Sequence, residues 1–312
     1  MSVENSVFDS LADLTVSDIL TSSELLEAAA AEQLIGTQAY DLLFSPEDVD
    51  SMAVAYNLDV APALDEAVQQ VAEFGEIPVG DPSRGPRKTA ELSKLALGLR
   101  VSWEQRNIGA ASGTVIQREL VSRLAEIRRR NSADAVAALE AAGIEELTVD
   151  AKWTDEAAKA ADDLFAADDL LASAVDANGN KFNYSAGFVW GNRRTLNGLK
   201  RNDQVVKMYT GDMASKNPLF ADVANQPLIA EQFQLVADQA LPDGVVYVFA
   251  GEEYGKVGTR FQIGGPRFTD WYSERGQSEL GGATMAFRSD YVHFRHLAVR
   301  APKAIVKLVG AI

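Results

Sequence analysis

The first 83 residues contain 17 aspartates and glutamates but no lysine or arginine. A segment of one sign repels itself and packs only against a surface that is apolar or oppositely charged. The sequence supplies such a surface next, since Arg84 to Arg130 holds 11 bases against 4 acids. After residue 83 the chain has 28 acids against 29 bases, so the net charge of −16 belongs almost wholly to the N-terminal segment. This pattern predicts an acidic arm lying across a basic surface, on its own chain or on a neighbour. A solvated acidic arm is the plainer alternative.

Within residues 1–70 the pattern is of short helices joined by turns. Ser22-Ser23-Glu24-Leu25-Leu26-Glu27 carries a serine cap and first-turn acids, and Gly36 marks a stop. Ser45-Pro46-Glu47-Asp48 reads as the opening of another helix, with proline at its first position. Apolar residues are too sparse here for an independent core, so the arm must order itself on something else.

The period then changes. Residues 76–88 are rich in proline and glycine and read as a loop. Beyond them Leu95, Leu97, Leu99, Val101 and Trp103 alternate with Lys94, Ala96, Gly98, Arg100 and Ser102, the two faces of a strand. Residues 76–105 are therefore expected to form a long β-hairpin or an extended loop; a two-stranded hairpin alone in water is marginal and needs cover. Next, Ser112 is placed to cap a helix whose stripe runs Ile116, Leu120, Leu124, Ile127 and on through Val136 and Leu139 to Gly143. A helix is also expected over 153–175, starting at Trp153-Thr154-Asp155-Glu156. Asn178-Gly179-Asn180 reads as a turn, Gly187–Trp190 as a strand and Arg193–Lys200 as a short helix. Pro218 and Pro227 bound an irregular stretch. Val245–Phe249, 286–299 and 304–309 read as strands. The mixture is α+β.

Few residues suggest chemistry. There is no cysteine, which removes disulfides, thiolate metal sites and cysteine nucleophiles. No apolar run is long enough to span a bilayer, and the N-terminus lacks a secretory pattern, so folding in a reducing cytoplasm is expected. The glycine-rich stretches 80–85 and 264–267 lack the features of a phosphate loop and read as turns. His293 and His296 are the only histidines. On a strand, a spacing of three puts them on opposite faces, where they do not share a metal. Asp162-Asp163 and Asp168-Asp169 read as a solvated helix face. Arg128-Arg129-Arg130 is a weak nucleic-acid signal, equally explained by contact with the acidic arm. The inventory for acid–base or nucleophilic catalysis is thin, although carboxylate chemistry stays open. No cofactor, metal site or enzyme activity is expected.

The order of elements resembles one family: acidic arm, extended β-loop, long helix, α+β lobe, and late strands ending in Leu297 to Leu308. It is similar to the Hong-Kong-97-type major capsid protein of tailed double-stranded DNA bacteriophages. The resemblance implies an N-terminal arm at 1–75, an E-loop at 76–106 and a spine helix at 112–142. It implies a peripheral domain built from 107–150 and 256–299, and an axial domain from 151–255 with 300–312. It also implies hexamers and pentamers in an icosahedral shell in the virion, assembled in the host cytoplasm. The implied partners are further copies of the chain, a portal protein, separate scaffolding and decoration proteins, and packaged DNA held by weak non-specific contact, with no membrane. Contacts between copies would fall to Arg84, Arg87, Lys88, Lys94, Leu95, Leu97, Leu99, Trp103, Arg128, Arg129 and Arg130. One family member cross-links a lysine of the E-loop to an asparagine with help from a glutamate. Lys88 or Lys94 would stand for the lysine, but 281–297 has neither asparagine nor glutamate, so no cross-link is expected. No N-terminal cleavage is expected either. The competing readings are an encapsulin-type nanocompartment shell, another virion or tail protein, and a soluble α+β carboxylate-dependent enzyme.

Overall fold

Alternation of buried and half-buried side chains along Ala286–Val299 makes it the organising strand, 14 residues long. The computed structural model describes residues 7–11, 13–20, 23–34, 38–64, 70, 71, 75, 77, 79–107, 113–155, 158–210, 228, 229, 232–276 and 282–312. On one edge of the long strand lies Ser93–Ser102, antiparallel, with Ser102 opposite Ala286 and Ser93 opposite Arg295. On the other edge lie Gly258–Gln262, Arg267–Phe268 and Tyr272–Ser273. Phe44–Asp48 closes the sheet, parallel to Gly258–Gln262. Gly258 admits this neighbour because it has no side chain: a Cβ there would sit 2.8 Å from the Phe44 ring.

A second six-stranded sheet is centred on Val245–Ala250 and Ala186–Gly191, whose residues are nearly all buried. Ile305–Val309 runs antiparallel to Val245–Ala250 and parallel to Glu145–Thr148. Phe233–Ala237 lies on the far side, followed by Leu228–Ile229. The helices Ala160–Ser173, Arg193–Arg201 and Asp203–Thr210 belong to this lobe; buried residues of all three join its core.

The spine helix, Thr114–Ala142, spans 29 residues and joins the two lobes. Its stripe enters two different cores. Ile116, Leu120, Leu124 and Ile127 pack with Leu99, Val101, Phe268 and Tyr291. Ala135 and Leu139 join the core of the second sheet. Gly143 ends it in the left-handed conformation (φ 72°), as the sequence indicates. Its N-cap is Gly113, and Ser112 lies outside the described residues. Among the described residues no helix is long and apolar enough to cross a membrane.

The arm orders itself on the body, as its sparse apolar content requires. Helices Val7–Ser10, Val16–Ile19 and Ser23–Leu34 insert Leu11, Val16, Ile19, Leu26, Ala29 and Ala30 beneath the spine. Ala39–Leu43 then brings Tyr40 and Leu43 into the core of the second sheet. The surface beneath the arm belongs to its own subunit and is largely apolar. Arm carboxylates pair with Arg260 (Asp41, 3.1 Å) and Arg300 (Asp59, 3.3 Å), later in the chain than the basic stretch expected to meet them. Arg129 and Arg130 pair instead with Glu126 and Asp134 on the same helix.

Four local expectations are corrected. Ser45-Pro46-Glu47-Asp48 is strand, not helix; proline is tolerated because this is an edge strand. Residues 76–105 are not a hairpin: Arg87–Glu91 pairs with Ala53–Asn57, and Ser93–Ser102 pairs with the long strand. Trp103 is off the strand, because Ser102 and Gln105 cap each other and start the helix Trp103–Asn107. The helix expected from 153 begins at Ala160; Trp153 sits in a turn, its backbone N–H held by the Ala311 carbonyl and its indole N–H by Asp163. The turn at 178–180, the strand at 186–191, the helix at 193–201 and the late strands stand as read. Gly36, Pro218 and Pro227 lie outside the described residues.

Candidate assembly surfaces

The two-stranded ribbon of Ala53–Asn57 with Arg87–Glu91 leaves the body as a stalk. Val54 and Tyr56 pack toward Leu92, Phe261 and Ala298, with the Tyr56 and Phe261 rings 5.8 Å apart. Further out the chain is pinned across the loop by Leu58 N–H to Pro86 O (3.1 Å) and Ser83 N–H to Ala63 O (3.2 Å). Gly85 is required at this closure, because a Cβ would lie 1.8 Å from the Leu58 carbonyl oxygen. Asp59 N–H to Arg300 O (2.9 Å) ties the outer end of the ribbon back to the body.

Beyond these ties the loop exposes large apolar side chains. Leu64 is 58%, Ile77 77% and Val79 84% exposed. Isolated exposed apolar residues need no explanation, but several on one projecting loop mark a contact surface. The same loop carries Asp59, Asp65, Glu66, Glu73, Glu76 and Asp81 and no base before Arg84.

A groove runs between the spine and the strand Ser93–Ser102. One part, of about 280 Å³, is floored by Leu95, Leu97, Ile127 and Tyr291 and flanked by Arg130 and Glu126. It continues into a hollow of about 390 Å³ lined by Ala137, Ala138, Ala141, Lys88 and Arg130. The apolar face read from the sequence is thus split. Leu95 and Leu97 are half-buried, whereas Leu99 is wholly covered by its own subunit's arm and spine and offers nothing to a neighbour. Arg84, Arg87 and Lys88 are exposed on the stalk. Lys94 is exposed with its ammonium 5.9 Å from the Phe294 ring centroid. Trp103 is half-buried on its short helix, and Arg128, Arg129 and Arg130 are exposed on the spine. Sequence reading missed Leu64, Ile77 and Val79. The signal was an Ile-Pro-Val segment that no helical or strand period could bury.

Where lobes, arm and spine meet there is a polar knot. Arg295, 2% exposed, donates to Tyr40 Oη (2.6 Å), Asn131 Oδ1 (2.6 Å) and Asp134 Oδ2 (2.8 Å). Arg260 and Arg295 both lie 5.0 Å from the Tyr40 ring centroid. Beside them His293, 3% exposed, contacts Gln262 Oε1 at 3.2 Å. Burial, then the charges of Arg295 and Arg260, push its pKa down to about 3. The histidine is neutral when folded but protonates near 6.5 when unfolded. Stability is then fully present above pH 6.5 and is lost as pH falls toward 3, at up to about 1.4 kcal/mol per unit. Urea midpoints at pH 6 and pH 4.5 should differ less in a His293→Gln variant than in the parent. His296 is half-buried on the opposite face of the strand.

The acidic pairs are a solvated face only in part: Asp162 and Asp169 are exposed, Asp163 and Asp168 half-buried. Asp162 accepts from Gln204, and Asp163 from the Trp153 indole, its pKa raised by burial. Asp168 accepts from Ala186 N–H (2.6 Å) and Gln232 (2.9 Å), and Asp169 is exposed. Three of these four carboxylates fasten the helix to its lobe.

No family profile and no curated protein matches this sequence. Solved structures do match. A virus-like particle protein from Pyrococcus furiosus aligns over 89% of this chain and 94% of its own, with TM-score 0.55 and 11% identity. A phage-related protein from Bordetella bronchiseptica aligns over 90% and 96%, with TM-score 0.55 and 14% identity. A cyanophage capsid protein aligns over 88% of each chain, with TM-score 0.55 and 11% identity. The chain has the Hong-Kong-97-type major capsid fold, an α+β architecture.

Proposed function

We propose that this chain is a major capsid protein, the structural subunit of the icosahedral shell of a tailed double-stranded DNA phage. The observation that carries this reading is the loop tip: three large apolar side chains exposed on an acidic loop, on a subunit whose fold is that of capsid proteins. Only a further surface removes them from water, and the groove beside the spine, with its apolar floor of Leu95, Leu97 and Ile127, offers one. Pairing between loop and groove on different copies is heterologous and closes into rings, which fits hexamers and pentamers. In this reading the extended loop is 49–92, the arm, spine and first sheet form the peripheral lobe, and the second sheet forms the axial lobe.

The proposed partners are further copies, a portal protein, separate scaffolding and decoration proteins, and packaged DNA. The proposed location is the virion, after assembly in the host cytoplasm. The test is electron microscopy and sedimentation of the purified full-length protein. Megadalton shells, or pentamers and hexamers, are expected; a small closed oligomer with enzymatic turnover would overturn the reading. A nanocompartment shell shares the fold and would show particles with neither tails nor DNA.

A further inference from the structure

The helix Arg193–Arg201 turns Thr195, Leu196, Gly198 and Leu199 into its lobe. At about 100° per residue, Arg193, Arg194, Asn197, Lys200 and Arg201 all fall on the opposite face. That face carries four cations and no acid, on a chain of net charge −16. Arg194 is paired with Asp243 at 2.7 Å. Among the described residues no ion pair engages Arg193, Lys200 or Arg201. Burial and the neighbouring Arg193 push the Lys200 pKa down, the mark of uncompensated crowding. The helix borders an open hollow of about 950 Å³, also lined by Trp153, Asp155 and Asp203.

We propose that this face binds the phosphate backbone of duplex DNA, without reading its sequence. The inference rests on the shell reading above. Arg193, Asn197 and Arg201 recur every four residues, about 6 Å along the axis, a distance over which one strand of a duplex presents about two phosphates. Arginine, lysine and asparagine are the side chains that hold phosphates. An acidic segment of another protein is the rival occupant. Protein contacts are anchored by apolar or aromatic groups that become buried at their centre. The hollow offers little: Trp153 is 1% exposed, and Ile312, the other large apolar side chain lining it, is half-buried. A polyanion needs no such anchor, since it binds through release of counterions. Asp155 and Asp203 in the lining temper the potential and keep the contact weak, as a packaged genome that must leave again requires.

The test is salt titration of binding between full-length, unassembled subunits and a short random-sequence duplex. Three unpaired cations contribute a slope of about −2.7 in log K against log salt. The variant Arg193→Gln/Lys200→Gln/Arg201→Gln should lower the magnitude of the slope by that amount and still form particles. The charge-matched variant Arg84→Gln/Arg87→Gln/Lys88→Gln should change it by less than one. An unchanged slope in the first variant, or an equal fall in both, overturns the inference. Loss of particles with an unchanged slope would assign the face to another copy of the chain and overturn it too. Failure of the parent protein to form particles would sink the shell reading alone, because the slope is measured without assembly.

Discussion

Replacing Leu64, Ile77 and Val79 together with serine is expected to yield a folded subunit that no longer builds shells. None of the three is covered within its own subunit, so the fold loses little: surface changes of this kind stay within about 0.5 kcal/mol each. In an assembly each becomes buried, and burial of such a side chain stabilises by about 1.5–3 kcal/mol. Losing three weakens every contact by roughly 5 kcal/mol, more than three orders of magnitude in the association constant. Urea unfolding of the subunit should be nearly unmoved, while sedimentation should show loss of the megadalton species. Normal shells from the variant would mean that the loop tip is not an assembly surface.

The second large effect is expected at Arg295. Its guanidinium is held by three groups from two elements, Tyr40 of the arm and Asn131 and Asp134 of the spine. Truncation to alanine leaves Asp134 with Arg130 as its remaining arginine partner and opens the space beneath Tyr40. Breaking a buried pair from one side costs about 3–5 kcal/mol; with Asp134 still paired, a loss of about 3 kcal/mol is expected, a large part of the stability of an ordinary domain. Arg295→Lys should rescue little, because one ammonium does not reproduce a planar fork reaching three acceptors. Arg295→Met combined with Asp134→Leu should recover much of the loss, since the space is filled and the carboxylate deprived of its inner partner is gone. The urea midpoint of the unassembled subunit reads all three. Equal stability of Arg295→Ala and the parent would show the knot to be energetically idle.

Elements with a strong period were legible from the residues. The spine stripe, the strand Val245–Ala250 and the closing strands needed only spacing and a glycine stop. The errors fell where distant segments override local preference. Ser45-Pro46-Glu47-Asp48 looks like a helix start in isolation and becomes strand only because Gly258–Gln262 offers it an edge. The strand Ser93–Ser102 was found, but its partner was expected within 76–105 rather than nearly two hundred residues away. Charge counting did not find what the arm lies on, because arginines on one helix neutralise within it before they reach another segment. The assembly surface was half legible. Leu95 and Leu97 have the pattern of a strand face, whereas Ile77 and Val79 follow no period, and only the folded loop shows that nothing covers them. The helix Arg193–Arg201 was read as a helix, but its one-sided charge became informative only once its lobe was seen to bury the rest.

Ala286–Val299 and Ile305–Val309, the last two strands of the fold in chain order, are interior strands of the two sheets, not edges. Neither lobe can close until its late strand has been made, and pairing across such separations is slow. A ribosome that releases its product early leaves a polypeptide with two incomplete lobes rather than one good and one bad. Fragments of this kind lack both finished sheets, so a truncated copy is marked by the order in which the strands are threaded.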